Sequence, residues 1–369
     1  METELKRVFR GKKVLITGHT GFKGSWLTLL LSHFGAQVSG ISLPPPTLPS
    51  HFELAGIKTL VSSHHTLDIR NETALRELVL KLQPEFIFHL AAQPLVLRSY
   101  ENPLETFAVN VQGTAHVLEA ARQISSLQGV LVITTDKVYE NDERGHPFLE
   151  SDPLGASDPY STSKAMTELL TKSYHASFFK SRNVGVATAR AGNVIGGGDF
   201  AANRLVPDCI RALLAGRPIP LRNPWMQRPW MHVLDPLFGY LMLGAKLIED
   251  PINFSTAFNF GPKDPTALTC QAIANKLICL HGSGSVNELS LPQAPKEKST
   301  LQLNSEKAKA HLGFTPRHSI DSALEDTLTW YSVMPKKLEE STMLKASMRS
   351  IDRYLSMVED KKLCMEVLR

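Results

Sequence analysis

Five side chains in the middle of this sequence are of the types that move protons. After the apolar run Leu131, Val132 and Ile133 come Thr134 and then Thr135, Asp136 and Lys137, and Tyr160 and Lys164 come downstream, four residues apart. A near-continuous apolar run marks a strand buried in a parallel sheet, and such sheets bind ligands beyond the carboxyl ends of their strands. A hydroxyl, a carboxyl and an amine therefore stand where a ligand would lie. The spacing of Tyr160 and Lys164 puts both on one face of a helix. A phenol, with pKa near ~10, is a poor base at neutral pH, but an ammonium one turn away favours the phenolate. Tyr160 is read as the base for a substrate hydroxyl, with Thr135 as a second hydrogen-bond partner of that oxygen and Lys164 as the group that tunes the phenol. Asp136 and Lys137 go beyond removing hydrogen from a carbinol. A carboxyl group can protonate a departing hydroxyl, and a neutral amine can take the acidic proton beside a newly formed ketone, so the two together can eliminate water. An ion-paired turn is the plainer reading of the same pair.

These residues need a scaffold of strands and helices, and the chain supplies it. Residues 13–17 form a β run, followed by Gly18, His19, Thr20, Gly21, Phe22, Lys23 and Gly24, then a helical stretch over 25–34 that stops at Gly35. A glycine loop between a strand and a helix lets backbone approach a pyrophosphate, which points to a nicotinamide dinucleotide, and Lys164 would hold its nicotinamide ribose. The second strand, 37–42, ends in Ser42, with neither an acid for a ribose hydroxyl nor an adjacent arginine for a 2′-phosphate, so weak discrimination between NAD and NADP is expected. A third strand is placed at 60–64. Asp68, followed by Ile69, either accepts from the adenine amine or caps the helix of 71–82. The fourth strand, 86–90, runs through Leu90 into Ala91 and Ala92, small enough for a cofactor to lie close, with Gln93, Arg98 and Ser99 at the mouth. Asn110, unfavourable inside the helix of 103–123, is expected to hold a backbone group or a water near the site, unless it merely faces solvent. The helix from 159 to 178 and a sixth strand at 184–190 complete an alternation that argues a parallel, doubly wound sheet.

From Asp199 the pattern changes. A helix opens at Arg204, an extended run follows at 219–223, and Arg228, Trp230, His232 and Asp235 stand close together, a mixture suited to phosphates and a flat base. Residues 257–260 are expected to return to the sheet, 266–280 and 305–312 to be helical, and 345–358 to form an amphipathic packing helix. With 369 residues, 43% hydrophobic, the chain can build a large core, and its formal charge of +4 calls for neither nucleic acid nor a membrane surface. Cys209, Cys270, Cys279 and Cys364 show no metal-ligand spacing and read as reduced thiols, no metal is expected, and no apolar run approaches a membrane span.

The glycine loop, Ala91-Ala92, Asn110, Thr135 and the Tyr160/Lys164 pair resemble the extended short-chain dehydrogenase/reductase family, in its NAD-dependent epimerase/dehydratase branch, over about residues 10 to 335. More specific motifs narrow the resemblance to members acting on CDP-glucose. They are Thr135-Asp136-Lys137, where dTDP-glucose dehydratases have Thr-Asp-Glu; Asp152-Pro153-Leu154-Gly155 ahead of Asp158-Pro159-Tyr160; the glycine-rich Arg190 to Asp199; Arg204-Leu205-Val206-Pro207-Asp208; Arg222-Asn223-Pro224; and Arg228 to Leu234. Phe200, Ala201, Ala202, Val138 and Met231 depart from the pattern.

The resemblance implies a Rossmann-type NAD-binding domain over 1–190, an interleaved nucleotide-sugar lobe over 191–335 and a helical extension over 336–369. It implies a hydro-lyase that converts CDP-glucose to CDP-4-keto-6-deoxyglucose, with NAD recycled in every turnover. Tyr160 would remove the 4-hydroxyl proton, Lys137 the C5 proton, and Asp136 would protonate the 6-hydroxyl. Gln93, Arg98, Asn193, Arg204, Leu205, Arg228 and His232 would contact the substrate. A cytoplasmic homodimer or homotetramer serving deoxysugar synthesis for surface polysaccharide (lipopolysaccharide O-antigen) is expected. A 4,6-dehydratase or 4-epimerase for another nucleotide sugar, or an NAD(P)-sensing protein without catalysis, stays open, although an epimerase has no use for Asp136 and Lys137.

Overall fold

The computed structural model describes residues 1–141, 145–263, 268–288, 301–334 and 340–357. Six strands, β1 (Lys13–Thr17), β2 (Gln37–Ser42), β3 (Ser63–Thr66), β4 (Phe86–His89), β5 (Gly129–Ile133) and β6 (Gly185–Ala191), alternate with helices. Short strands β7 (Asn193–Ile195), β8 (Ile219–Leu221), β9 (Gln227–Arg228) and β10 (Trp230–His232) follow, then β11 (Ala257–Phe260), β12 (Leu268–Thr269) and β13 (Val286–Glu288). β11 does return to the sheet, which has seven parallel strands in the order β11-β6-β5-β4-β1-β2-β3. The order reverses at β1, which pairs with both β2 and β4. A crevice therefore opens past Thr17 and His89, the switch point where doubly wound sheets bind ligands.

Both faces of the sheet are covered, as near-continuous apolar strands require. Val14, Ile16, Phe86, Phe88 and Leu131 point into one core with Trp26, Leu237 and Tyr240; Leu15, Ile87, Val130 and Val132 point into the other with Val117 and Leu118. The helix Glu340–Ser356 is part of the first core, where Met343, Ile351 and Tyr354 are almost wholly buried. Each such side chain is worth roughly 1.5–3 kcal/mol on burial. The predicted end of this helix at Val358 lies outside the described residues.

Three local expectations shift. The helix after the glycine loop begins at Phe22, because Gly21 serves as its N-cap, and it ends as predicted, with Gly35 at φ +82. Residues Ile57–Leu60 coil into a 3₁₀ turn, so the third strand begins later, at Ser63. The long helix of 103–123 is in fact Pro103–Phe107, a π-helical turn Ala108–Gln112, and Gly113–Ala121. Asn110 sits in that turn, the kind of bulge often found at functional positions. Among the described residues no helix is long and apolar enough to cross a membrane.

Candidate active site

The glycine loop forms the floor of the crevice. A Cβ on Gly18 would stand 2.7 Å from the Ala91 nitrogen, and one on Gly24 only 2.1 Å from the Gly18 carbonyl oxygen, so both glycines are needed to pack loop, helix and β4 together. Gly21 differs: a Cβ there would meet only the Gly18 oxygen, at 3.3 Å, leaving the space above it open. No side chain caps the helix that starts at Phe22. Its first N–H groups are thus free to receive a pyrophosphate, as helix N-termini do. Thr20 Oγ1 lies 2.7 Å from Ser42 Oγ, which ties the loop to the end of β2. The loop thus meets Leu90 and Ala91 at the end of β4 and Ser42 at the end of β2, while His19 within it is wholly buried, its Nε2 2.7 Å from His64 Nδ1.

Asn110 does hold backbone, and does not face solvent. Its Oδ1 accepts from Gln93 N–H at 2.8 Å, its Nδ2 donates to the Gln93 carbonyl at 3.1 Å and to Ser163 Oγ at 2.9 Å, and the residue is buried. The loop after β4 is thereby joined to the helix Pro159–Tyr174, which carries Tyr160 and Lys164. Asp158 caps that helix by accepting from Ser161 N–H, and Pro159 occupies its first turn. The strand end supplies the other half. Thr135 caps a short 3₁₀ turn, Asp136–Val138, so Asp136 and Lys137 follow β5 immediately.

Tyr160 and Asp136 are both buried and are linked through Thr135, whose Oγ1 donates to Asp136 Oδ1 at 2.9 Å and is hydrogen-bonded to the Tyr160 phenol. Burial pushes Tyr160 up to about 12, against the Thr135 hydrogen bond that lowers it. Burial also raises the Asp136 carboxyl above its ordinary value, with Lys137, Thr135, Arg228 and Lys23 opposing. Thr135 has a single proton to give. When Asp136 is protonated, that proton is free for a Tyr160 phenolate, so a neutral acid and an ionised phenol are the mutually consistent pair.

Lys164 reaches the strand rather than the phenol: its Nζ donates to the Ile133 carbonyl at 3.1 Å. Burial brings it down to about 8, the charge of Lys23 lowers it further and Glu168 opposes. Lys23 itself is brought to about 8 by burial and by Arg204, with Asp136 opposing. The glycine loop thus contributes a charged side chain among the acid–base groups as well as its backbone. Lys137 is half-buried beside Asp136.

The other predicted contacts divide. Arg204 stands at the start of the helix Leu205–Leu214, donates to Asp199 Oδ2 at 2.9 Å, and its charge reaches Tyr160 and Lys23. Arg228 is buried on β9 and acts on Asp136, and Asn193 is half-buried beside β10. Gln93 braces its own loop through Leu95 and Thr106. Arg98 lies on an exposed helix and is held by Glu105 at 2.9 Å. Asp68 does not cap the helix after β3; Asn71 does, and Asp68 pairs with Arg70 at 2.6 Å. The Ile69 side chain packs in the second core under Gly113, which leaves only its backbone for a cofactor.

His232 is wholly buried and belongs to a different cluster, with His318 and Asp326. The three donor sets lie within 4.8 Å of one another, close enough to hold a metal ion. His232 Nδ1 accepts a long bond from Leu234 N–H, 3.4 Å, which leaves the proton on Nε2, facing Asp326 Oδ2 at 3.2 Å and off the line of a good hydrogen bond. Arg353 approaches the other carboxylate oxygen to 3.9 Å. The cluster fastens β10 to the helix Ile320–Ser332. Cys209, Cys270 and Cys279 are not joined in disulfides among the described residues, and Cys364 lies outside them.

Residues 14–255 match the model of the NAD dependent epimerase/dehydratase family. The chain is similar to CDP-glucose 4,6-dehydratase of Salmonella typhimurium, 42% identical over 95% of this chain and 98% of that one. It is similar, at 28% identity over 86% of this chain and 92% of the relative, to dTDP-glucose 4,6-dehydratase of Streptomyces antibioticus. Among solved structures it resembles dTDP-glucose 4,6-dehydratase of Streptomyces venezuelae with NAD bound, at TM-score 0.75 and 25% identity over 87% of this chain and 97% of that one. An epimerase of Methanothermobacter thermautotrophicus shares the fold at TM-score 0.78, covering 90% of this chain and 95% of that chain.

Proposed function

Because the chain belongs to the NAD dependent epimerase/dehydratase family, we propose that it is a hydro-lyase that converts CDP-glucose to CDP-4-keto-6-deoxyglucose and water. The observation that carries this reading is the buried chain Asp136–Thr135–Tyr160, which joins an elimination acid to a dehydrogenation base through one hydroxyl. The glycine loop, Ala91, Ala92 and Lys164 would hold NAD, which would supply the hydride chemistry at C4 and C6. The protein's own groups move the protons. Tyr160 accepts the proton of the 4-hydroxyl while Thr135 hydrogen-bonds the same oxygen. Lys137 takes the proton from C5, which the ketone has made acidic, and Asp136, whose pKa burial raises, protonates the departing 6-hydroxyl. Asn193 and Arg204 contact the nucleotide portion, and Arg228 contacts the diphosphate or its ribose.

The test is incubation with NAD and CDP-, dTDP-, UDP- or GDP-glucose, followed by assay for a 4-keto sugar. CDP-glucose should turn over fastest, and faster turnover of another nucleotide would reassign the substrate. In this reading the enzyme works in the cytoplasm, and its product, with a ketone open to further reduction or amination, supplies deoxysugars of surface polysaccharide such as lipopolysaccharide O-antigen.

A homodimer completes the proposal. Leu104 is 84% exposed and Met166 43% exposed on adjoining helices, around an open apolar groove lined by Phe107, Val111 and Leu170 as well. A continuous apolar patch of this kind marks an association surface. Placing a charge there by Met166→Asp should shift the sedimenting species from dimer to monomer. A variant that sediments like the unaltered chain would place the interface elsewhere.

A further inference from the structure

Behind the catalytic turn lies a buried charge network that the proton-transfer scheme does not use. Glu168 is on the helix that carries Tyr160 and Lys164, at successive spacings of four, so all three share one face. Its carboxylate is buried and accepts four bonds: from Thr134 Oγ1 at 2.5 Å, Thr188 Oγ1 at 2.6 Å, and Arg190 Nε and Nη2 at 3.0 and 2.8 Å. Thr188 and Arg190 are on β6, whereas Thr134 directly precedes the catalytic Thr135. Arg190 continues the network to the Tyr139 hydroxyl at 2.7 Å, and that hydroxyl donates to Asn259 on β11 at 2.7 Å.

We propose that Thr134, held by Glu168, is a positioning residue that fixes the elimination pair Asp136 and Lys137 against the Tyr160 helix; this rests on the proton roles given above. The helix touches the end of β5 at two points, Lys164 on the Ile133 carbonyl and Glu168 on the Thr134 hydroxyl. The first places the dehydrogenation half of the site. The second places the turn that follows Thr134, which carries the acid and the base. Glu168 is well suited to the task because Arg190 neutralises it with two parallel bonds and every remaining lone-pair direction is filled, so the carboxylate has no alternative orientation. Thr134 also keeps its place in the sheet independently, since its N–H donates to the Ala189 carbonyl at 2.9 Å. Deleting the hydroxyl therefore loosens the turn without unpairing the strand.

The comparison of Thr134→Val with Thr188→Val tests this, because each deletes one hydroxyl from the same carboxylate and only one of them precedes the turn. In Thr134→Val, formation of the 6-deoxy product should fall by at least about tenfold with KM held within about twofold, as a displaced catalytic group requires. Oxidation at C4 should continue, so the share of reduced cofactor and released 4-keto-hexose should rise. Thr134→Ser should restore the wild-type ratio, and Thr188→Val should leave that ratio unchanged. If Thr134→Val does not fold, the double variant Glu168→Leu with Arg190→Met removes the acceptor together with its counter-ion, so no charge is stranded, and it should show the same change of ratio. Equal losses in the two valine variants, an unchanged ratio in Thr134→Val, or no rescue by serine would overturn the proposal. If the wild-type chain makes no 6-deoxy product at all, the proton-transfer reading fails first.

Discussion

Tyr160→Phe is expected to lower turnover by at least ~10²-fold, the low end of what a positioned general base contributes. The ring is buried and phenylalanine keeps its shape, so the loss should appear in kcat with folding intact. The pH dependence separates this role from packing. Burial puts the phenol up at about 12 in the structure, so at neutral pH it is protonated unless bound ligands stabilise the phenolate. A base works when deprotonated, so activity should rise with pH through the pKa of Tyr160 in the loaded enzyme. That rising limb should be missing from the residual activity of the phenylalanine variant. A variant within a few-fold of wild type, with the same pH profile, would remove Tyr160 from the chemistry.

Lys137→Met should divide the reaction rather than slow all of it. Methionine keeps a stem of similar length and deletes the amine, so C4 oxidation should proceed and appear as reduced-cofactor absorbance in a single turnover, while formation of the 6-deoxy product nearly stops. Wild-type enzyme in deuterated water should place deuterium at C5 of its product, and the variant should not. The partner acid gives the pH sign. Asp136 must be protonated to act, and burial raises its pKa above the ordinary carboxyl value. Elimination should therefore weaken as pH rises through that raised pKa, while the oxidation step gains. Dehydration by Lys137→Met at a near-normal rate would make Lys137 a structural charge.

The part of this site that sequence made legible is the part built from local spacing. Tyr160 and Lys164 are a helical turn apart wherever that helix lies, and Thr135, Asp136 and Lys137 are placed by one strand end. Asn110 could be singled out because its residue type conflicts with a helix interior, and the conflict is resolved by a π-helical turn and the Gln93 backbone. The support behind these residues was not legible. Glu168 meets Thr134 and Arg190 only through the sheet, across 34 and 22 residues of sequence. Its one signal was another spacing of four beyond Lys164. His232 was misplaced for the converse reason: a histidine beside Arg228 and Trp230 looks like a ligand contact, and nothing in its type or spacing shows the ring turned inward to Asp326. The parallel, doubly wound sheet followed from the alternation of elements, whereas its strand order, with the reversal at β1, did not, and the start of β3 depended on a 3₁₀ turn with no distinctive residues.

The central claim is that one buried site oxidises C4, removes water across C5 and C6, and returns the same hydrogen to the sugar. CDP-glucose carrying deuterium at C4 tests it most directly. The proposed scheme places that deuterium at C6 of the 4-keto-6-deoxy product, with no net reduced cofactor at the end of the reaction. Loss of the label to solvent, or stoichiometric release of reduced cofactor with C6 still bearing its hydroxyl, would contradict it.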